Sequence, residues 1–443
     1  MYSQKLTTAK QVVDLFEFSD TIDYGFCTGT SRYVDKELSS RFLEGKFYNL
    51  KIHGAILQWE PEIFKTDTEG KNFTWYSKHA AVERQRVNTS GGVFIPMRYS
   101  ELPRYYTNDN FGVIDYLVMQ VAPMDEEGNF NFGPNASHLK AAAEQAKKII
   151  VEVNENMPVC LGRNNNINVE EVDCIVEGDS PKIPGMKGKE ITEIDLKVAD
   201  LIIPEIKDGS CLQLGIGGMP NAVGTRIVQS DLKDLGVHTE MYVDAFMEME
   251  KAGKINGRRK STEILKQVYT FAAGSSELYN YLNMNEGLFT DKVDYVNDVR
   301  TIASNDNFVS INNAMSIDLF GQIASENMGF RHISGAGGQL DFVLGSYLSN
   351  GGKSFICLAS TYNDKNGDTH SRIRPLLEPG TVITVPRPCV QWIVTEYGMF
   401  NCKGKSTWER VEGLINLAHP AFREELIDDA EKMKIWKRSN KRC

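Results

Sequence analysis

The chain has 443 residues, which is more than one typical hydrophobic core supports, so its length predicts two domains. Apolar, aromatic and charged fractions of 41%, 10% and 24% are those of a globular protein and exclude collagen-like and disordered classes. A formal net charge of -10 argues against a general nucleic-acid binder, which needs a concentrated basic surface.

The first part of the chain alternates between helical and strand-like segments. This alternation is typical of an α/β protein with mainly parallel sheets. The pattern predicts a helix over 8–16, a strand over 21–26 and a turn over 27–31, followed by a helix from Tyr33. Further along, we expect Ser137 to cap the next helix.

That next helix is predicted over 138–148, where alanines recur at helical spacing, and a strand is predicted over 149–153. A domain boundary is predicted after the stretch 178–188, which is rich in residues that end regular structure. The two domains are therefore 1–188 and 189–443. Ligands of open α/β sheets bind where strands end, so we expect the active site in the cleft between the domains.

The second domain begins with the same order of elements as the first. The sequence predicts a helix over 192–203, a strand over 210–214, a glycine turn and a helix from Pro220. This order indicates two related open α/β domains, although the residues themselves differ. A short apolar run over 354–359 is typical of a further buried strand.

The glycine turn after the strand predicts a binding loop for a negatively charged group. Gly215, Gly217 and Gly218 lack Cβ atoms, so the backbone can turn sharply and approach a ligand closely. The unpaired N–H groups at the start of the following helix favour a phosphate or an oxyanion. By itself, the pattern fits an ordinary strand-to-helix turn equally well.

A second glycine loop follows the same logic, with a strand near Ile333, glycines at 335, 337 and 338, and a helix beginning near Asp341. Between the two loops, Glu240 lies in an apolar strand and is a candidate nucleophile. Four other acids have similar settings, and the pattern alone does not choose among them. They are Asp115, Glu152, Asp244 and Glu396. His238 is a candidate base, but a histidine bonded within the fold is favoured.

Several familiar sites are excluded by counting positions. A dinucleotide-binding fingerprint needs a small residue where Pro220 and Leu340 stand. A phosphate-binding P-loop needs glycine where Tyr347 and Met399 stand. No Gly-x-Ser-x-Gly elbow and no clustered histidine or cysteine spacing occur, so neither a serine hydrolase nor a metal site is predicted.

Cysteine usage predicts a cytoplasmic protein. No Cys-x-x-Cys pair occurs, and most cysteines lie in apolar runs, so we expect them to be reduced and buried. The first residues lack an apolar signal core, and no apolar run approaches the length of a membrane span. Two basic stretches, 258–260 and 434–442, are expected to be a charged loop and a solvated end. The cysteines are Cys27, Cys160, Cys174, Cys211, Cys357, Cys389, Cys402 and Cys443.

Nearly the whole chain resembles the acetyl-CoA hydrolase and CoA-transferase family, in particular its butyryl-CoA:acetate and 4-hydroxybutyrate CoA-transferases. The N-terminal part and Met241-Tyr242-Val243-Asp244 are most similar to the butyrate-forming branch. The set of matching motifs is far more specific than any one glycine loop. The matching segments are 23–25, 215–221, 235–241, 310–313, 335–341, 394–398 and 418–423.

The resemblance implies roles for individual residues. The nucleophilic glutamate of the family falls on Glu240, in the matching His-Thr-Glu-Met context. Two further coenzyme A contacts fall on Met315 and Gly338, of which Met315 also fits a core methionine. The coenzyme A loop of the family falls on Gly215, Ile216, Gly217, Gly218 and Met219.

The resemblance further implies a ping-pong transfer of CoA from a short-chain acyl-CoA, most closely butyryl-CoA, to acetate. Acyl-CoA, CoA and short carboxylates are then substrates, with no tightly bound cofactor, and a homodimer or larger homo-oligomer is expected. Tyr24 and the segment 99–101 are candidate acyl-pocket or lid residues, although a structural role is favoured for each. The alternatives are a 4-hydroxybutyrate or propionate CoA-transferase, an acyl-CoA hydrolase and a CoA-sensing module without turnover.

Overall fold

The computed structural model describes residues 1–89, 91–108, 110–186, 188 and 190–438. Cys443 and the last residues of the basic tail lie outside this range, as does Lys189 at the predicted domain boundary. The fold is α/β and contains two large sheets. One sheet is built from the residues before 178 and the other from the residues after 210.

In the described part of the chain, the first large sheet has eight strands, and every pairing in it is parallel. Its strands are well buried at the centre, as expected for a parallel sheet covered on both faces. In spatial order they are Leu6–Thr7, Cys174–Glu177, Ala146–Val153, Ile114–Val121, Thr21–Asp23, Leu50–Gly54, Phe73–Ser77 and Gly92–Phe94.

The second large sheet also has eight strands among the described residues, and only its edge strand Gly398–Asn401 runs antiparallel. Glu240 lies on a strand that is paired on both sides, near the middle of the sheet. In spatial order the strands are Leu288–Thr290, Gln267–Ala272, Gly236–Tyr242, Cys211–Leu214, Phe308–Asn313, Lys353–Cys357, Trp392–Thr395 and Gly398–Asn401.

Helices connect these strands, and several begin with the caps that the sequence provides. Thr8, Thr192 and Ser406 each close a capping box, in which side chain and backbone at the helix start satisfy each other. The α-helices are Tyr2–Lys5, Ala9–Val13, Tyr33–Leu43, Glu62–Thr66, Arg84–Val87, Leu102–Thr107, Leu139–Gln145, Glu193–Ile202, Gly218–Gln229, Asp244–Lys251, Ser276–Leu282, Val293–Val296, Val299–Ala303, Gln339–Leu348, Thr407–Leu417 and Pro420–Lys432.

Short 3-10 helices and small antiparallel or mixed sheets complete the fold. The 3-10 helices are Cys27–Gly29, Tyr99–Glu101 and Ile203–Glu205. The remaining strands are Asn129–Asn131 with Asn166–Asn168, Ser316–Asp318 with Ile323–Ala324 and Ile373–Arg374, Asn327–Met328 with Arg331–His332, and Thr361–Asn363 with Thr369–Ser371.

The prediction for 138–148 was wrong in its boundaries and in its cap. The helix covers only Leu139–Gln145, and the strand already begins at Ala146, because Ala146 pairs with Ile114 across the sheet. Long-range pairing thus outweighs the helix propensity of the sequence. The Ser137 hydroxyl makes no helix cap and instead contacts the hydroxyl of Tyr99 at 2.5 Å.

Both glycine loops differ in detail from their predictions. The first helix begins at Gly218, two residues before Pro220, which still lies in the first turn where its missing N–H is harmless. No strand forms at Ile333, because its N–H and that of Ser334 both donate to the Glu326 carbonyl. The second helix begins at Gln339 rather than near Asp341.

The predicted cysteine state is confirmed for the described residues, where all seven cysteines are free and five of them are buried. No helix in the described part of the chain combines the length and apolarity that a membrane crossing needs. Among the described residues, no cluster of three or more histidine, cysteine or acidic side chains is suited to hold a metal ion.

Candidate active site

Glu240 projects from the strand Gly236–Tyr242 into a narrow pocket between the two large sheets. The pocket is lined from both halves of the chain, with Glu240 and Gly337 on one side. His79 and Tyr99 belong to the other side. The structure therefore places the candidate nucleophile in the cleft that the sequence predicted.

Two donors hold the Glu240 carboxylate. The Asn297 amide donates a hydrogen bond to Oε2 at 2.7 Å, and the backbone N–H of Gly338 lies close enough to act on the carboxylate as a second donor. Asn297 is fully buried and follows the short helix Val293–Val296, so its side chain has little freedom. These donors fix the orientation of the carboxylate without supplying a positive charge.

Burial raises the pKa of Glu240 to about 7, and repulsion from Asp341 adds to the effect. The hydrogen bond from Asn297 lowers the pKa more strongly than Asp341 raises it, and the Gly338 N–H lowers it slightly, but burial outweighs both donors. A carboxylate with this pKa is more basic than one in water, and basicity favours attack on a carbonyl carbon. The group is nevertheless largely ionised slightly above neutral pH.

The second glycine loop approaches Glu240 so closely that no side chain fits there. A Cβ at Gly338 would collide with Oε2 of Glu240 and with the Asn297 amide. Gly337 has a φ of +54°, and a Cβ there would lie 3.5 Å from Oε1 of Glu240. The glycines therefore permit the contact between backbone and carboxylate.

The first glycine loop lies at the carboxyl end of the neighbouring strand. Gly217 has a φ of +125° and immediately precedes the helix Gly218–Gln229, so it makes the turn that only glycine adopts readily. Ile216 is exposed on the loop, whereas Met219 is buried beneath it. The loop thus presents backbone and one apolar side chain to a ligand.

Asn313 joins the two glycine loops. Its amide donates to the carbonyl of Ile216 at 3.0 Å, and its own carbonyl accepts from the Gln339 side chain at 2.9 Å. Met315 follows two residues later and is partly exposed, with its carbonyl held by Arg372 at 2.8 Å. The two glycine loops are therefore linked through Asn313, at the end of the strand Phe308–Asn313.

The pocket beside Glu240 has mostly apolar walls. Lys78 also lines the pocket, but its ammonium group is bound to the carboxylate of Asp23 at 2.7 Å, and both side chains are fully buried. The positive charge of Lys78 is thus already compensated. The apolar lining residues are Phe26, Ala55, Ile56, Met97 and Leu102.

Of the candidate lid residues, Tyr99 lines the pocket, while Tyr24 is fully buried against Trp75 outside it. Tyr24 is therefore a structural residue, which is the role that the sequence favoured for it. Sequence reasoning missed Asn297, whose surroundings carry no motif, and the neighbouring charge of Asp341. His79 and Lys78 were missed because only the fold brings their segment to the cleft.

The structure separates Glu240 from the other acids with similar sequence settings. Asp115 is bound by Lys147, and Glu152 accepts hydrogen bonds from Ser31 and from the N–H groups that open the helix Tyr33–Leu43. Asp244 and Glu396 are each held by a serine. None of the four lines the pocket around Glu240 in the described residues.

His238 is bonded within the fold as expected, because its Nε2 contacts the Val296 carbonyl at 2.7 Å and its ring is buried. The basic stretch 258–260 is a structural loop. Arg259 pairs with Asp234 at 2.8 Å, and the buried Lys260 donates to the carbonyl of Lys266. Neither side chain faces the pocket.

Two models of one protein family match the chain. The acetyl-CoA hydrolase/transferase N-terminal domain matches residues 1–185, and the C-terminal domain of the same name matches residues 274–430. The chain belongs to the acetyl-CoA hydrolase/transferase family.

The sequence aligns with those of individual family members over nearly their full length. The chain is 53% identical to a butyryl-CoA:acetate CoA-transferase from Anaerostipes caccae, with 99% of each chain covered. It is 44% identical to a probable butyrate:acetyl-CoA coenzyme A-transferase from Syntrophomonas wolfei, over 99% and 98% of the two chains.

Solved structures show the same fold. RipA from Yersinia pestis superposes with a TM-score of 0.89 at 34% identity, with 98% of each chain covered. A 4-hydroxybutyrate CoA-transferase from Porphyromonas gingivalis superposes with a TM-score of 0.78 at 30% identity, again over 98% of each chain. The two-sheet architecture is therefore a property of the family.

Proposed function

We propose that this protein is a CoA-transferase that moves CoA between a short-chain acyl-CoA, with butyryl-CoA preferred, and acetate. The observation that carries the proposal is the Glu240 carboxylate, held by Asn297 and Gly338 between two glycine loops in a cleft. Membership of the family and the named activity of the Anaerostipes caccae relative support the same conclusion.

The apolar pocket supports a short hydrocarbon chain as the acyl group. Phe26, Ile56 and Leu102 offer apolar contact beside the carboxylate of Glu240. Because Lys78 is compensated by Asp23, the described lining residues offer no free positive charge to a second carboxylate on the substrate. This favours butyryl over dicarboxylic acyl groups, whereas one methylene changes binding by only about 1–3 kcal/mol.

The reaction begins when an oxygen of ionised Glu240 attacks the thioester carbon of butyryl-CoA. The carbon–sulfur bond breaks, CoA leaves as a thiolate, and a mixed anhydride joins the butyryl group to Glu240. The thiolate then attacks the side-chain carbonyl of Glu240. Butyrate leaves with the bonding electrons, and a glutamyl-CoA thioester remains.

Acetate reverses the sequence. Its oxygen attacks the glutamyl thioester, the thiolate leaves, and the acetyl–glutamyl anhydride then loses its acetyl group to the thiolate as acetyl-CoA. Each attack on the Glu240 carbonyl places negative charge on an oxygen that the Asn297 amide and the Gly338 N–H can bind. One such donor contributes about 3 kcal/mol to transition-state stabilisation.

We further propose that CoA is a substrate rather than a bound cofactor and that the enzyme works in the cytoplasm as a homodimer or larger homo-oligomer. The first glycine loop, with the linked positions Met315 and Gly338, supports CoA binding along this edge of the sheet. The free cysteines of the described residues fit a reducing compartment. Symmetric homo-oligomers are the common state of such enzymes.

The test is to incubate the enzyme with butyryl-CoA alone and to measure its intact mass. We expect an adduct equal to CoA minus water, located at Glu240 by peptide mapping, and its loss on adding acetate. Glu240→Ala should form no adduct and lose transfer activity. Glu396→Gln is the control, because this glutamate directly follows another strand of the same sheet, Trp392–Thr395, but does not line the pocket.

Retained transfer activity in Glu240→Ala would refute the assignment of the nucleophile. Omitting acetate separates transfer from hydrolysis, since a hydrolase continues to release CoA while a transferase stops after one turnover. Tight CoA binding without isotope exchange between acetate and acetyl-CoA would instead indicate a sensing module. A panel of butyryl, propionyl and 4-hydroxybutyryl donors determines which acyl chain is preferred.

A further inference from the structure

A short segment of the first half docks on the loop that holds Glu240. The N–H of Tyr99 donates to the carbonyl of Gly337 at 3.1 Å. The next residue, Ser100, donates from its hydroxyl to Asp341 at 2.9 Å and from its N–H at 3.3 Å. Arg98 reaches the same carboxylate, with its Nε 3.2 Å from Oδ1. Three consecutive residues thus contact the second glycine loop and the first turn of the helix that follows it.

Asp341 is the centre of this contact and is fully buried. It lies in the first turn of the helix Gln339–Leu348, three residues after Gly338, whose N–H binds the carboxylate of Glu240. The position brings a second acid close to the nucleophile. A buried acid beside another acid costs stability, so its presence needs a compensating reason.

We propose that Asp341 is a positioning residue whose negative charge, held by the docked segment Arg98–Ser100, makes the ionised form of Glu240 less stable than its covalent forms. The proposal rests on the function of Glu240 as the nucleophile. The side chain of Glu240 is negatively charged in the free enzyme but uncharged in the anhydride and in the CoA thioester. Repulsion from Asp341 is therefore relieved as each covalent intermediate forms.

Four other groups around Glu240 cannot supply the repulsion that we assign to Asp341, because they carry no charge. Asn297 and Gly338 are neutral donors, burial lowers the pKa of His79 to about 4, and burial raises the pKa of Tyr99 far above its usual value. All four are therefore uncharged at neutral pH. The cation that also lines the pocket, Lys78, is bound to Asp23.

The groups around Asp341 act on its pKa in opposite directions. Burial raises the pKa of Asp341 to about 7, and nearby Glu101 acts in the same direction. The hydrogen bonds from Ser100 and the positive charge of Arg98 lower it. Docking of the segment thus favours the ionised form of Asp341. The contact of Arg98 and Ser100 with Asp341, which joins the two halves of the chain, thereby strengthens the repulsion between Asp341 and Glu240.

The experiment compares Asp341→Asn with the unchanged enzyme in the pH dependence of kcat/KM for butyryl-CoA. Removing the like charge lowers the pKa of Glu240, so the acidic limb of the profile should move down by about one pH unit. The fraction of enzyme present as the CoA thioester at equilibrium should fall about tenfold per unit. Asp341→Ser is measured in parallel, so the test does not depend on one variant folding.

Two controls separate charge from structure. Asp244→Asn is the matched control, because Asp244 also lies in a helical first turn and accepts from a serine N–H and hydroxyl but is not among the groups that act on the pKa of Glu240. It should leave the profile unchanged. Ser100→Ala removes one hydroxyl donor to Asp341 but leaves Arg98 and the Ser100 N–H in place, so it should move the acidic limb downward by less than Asp341→Asn does.

An unshifted acidic limb in both neutral variants, or an unchanged thioester fraction, would overturn the role of Asp341. If Glu240→Ala is inactive in the same assays, the proposed function survives that result. Activity in Glu240→Ala would instead show that the proposed function itself is wrong. The two failures are therefore distinguishable.

Discussion

Residue 338 shows how one missing side chain supports the chemistry of another residue. Gly338 has a φ of -97°, a conformation that alanine also adopts without strain. The requirement for glycine comes instead from the space occupied by Glu240 and Asn297. The backbone N–H approaches the carboxylate because nothing stands between them.

We predict that Gly338→Ala folds normally but loses about 100-fold or more in kcat, because displacing a reacting group by about 1 Å costs that much. Steady-state kinetics and thermal unfolding measure the two effects separately. Gly188→Ala is the control, since a Cβ there meets Asn221 only at an ordinary 3.5 Å. An active Gly338→Ala variant would mean that the contact with Glu240 is dispensable.

At the scale of elements, the ends of neighbouring parallel strands bring polar side chains together under the pocket. Asp23 ends the strand Thr21–Asp23, and Lys78 follows the strand Phe73–Ser77, two strands away in the sheet. Their ion pair is fully buried and shares the Tyr106 hydroxyl. A charged pair of this kind is stable only while both partners remain.

We expect Lys78→Met to lower the free energy of unfolding by about 3–5 kcal/mol, because Asp23 is left as an uncompensated buried charge. Thermal and urea unfolding measure the change. The double variant Asp23→Asn/Lys78→Met removes both charges and should recover most of the loss. A single variant as stable as the unchanged protein would show that the pair does not matter for folding.

At the scale of the whole molecule, the two sheets share a hydrophobic core. One continuous cluster of buried side chains includes Phe26 and Ile175 from the first half together with Leu212 and Phe271 from the second. Backbone hydrogen bonds also cross between the halves, as from Ser137 to the carbonyl of Thr270. Residues on the two sides of the predicted boundary at 188/189 are thus packed together.

We predict that the fragment 1–188 expressed alone aggregates or remains partly folded, because it exposes the apolar surface that the second half covers. Coexpression with 189–443 should restore a soluble complex with transferase activity. Gel filtration and circular dichroism check both outcomes. A monomeric, cooperatively folding fragment would show that the boundary divides independent folding units.

The sequence by itself determined the α/β class, the order of elements in both halves and the two glycine loops. Periodicity and turn residues act over a few positions, so they are readable without the fold. Capping residues such as Thr192 fixed helix starts for the same reason. The resemblance to the family's motifs then distinguished Glu240 from the four other acids that have similar sequence surroundings.

Only the tertiary structure decided what surrounds Glu240. Asn297, Asp341 and Tyr99 come from three distant parts of the chain, and their contacts depend on how strands and loops pack rather than on local pattern. The same reason explains why the strand beginning at Ala146 displaced a predicted helix. Long-range pairing and burial act between residues that are far apart in sequence, and burial is also what raises the pKa of Glu240 to about 7.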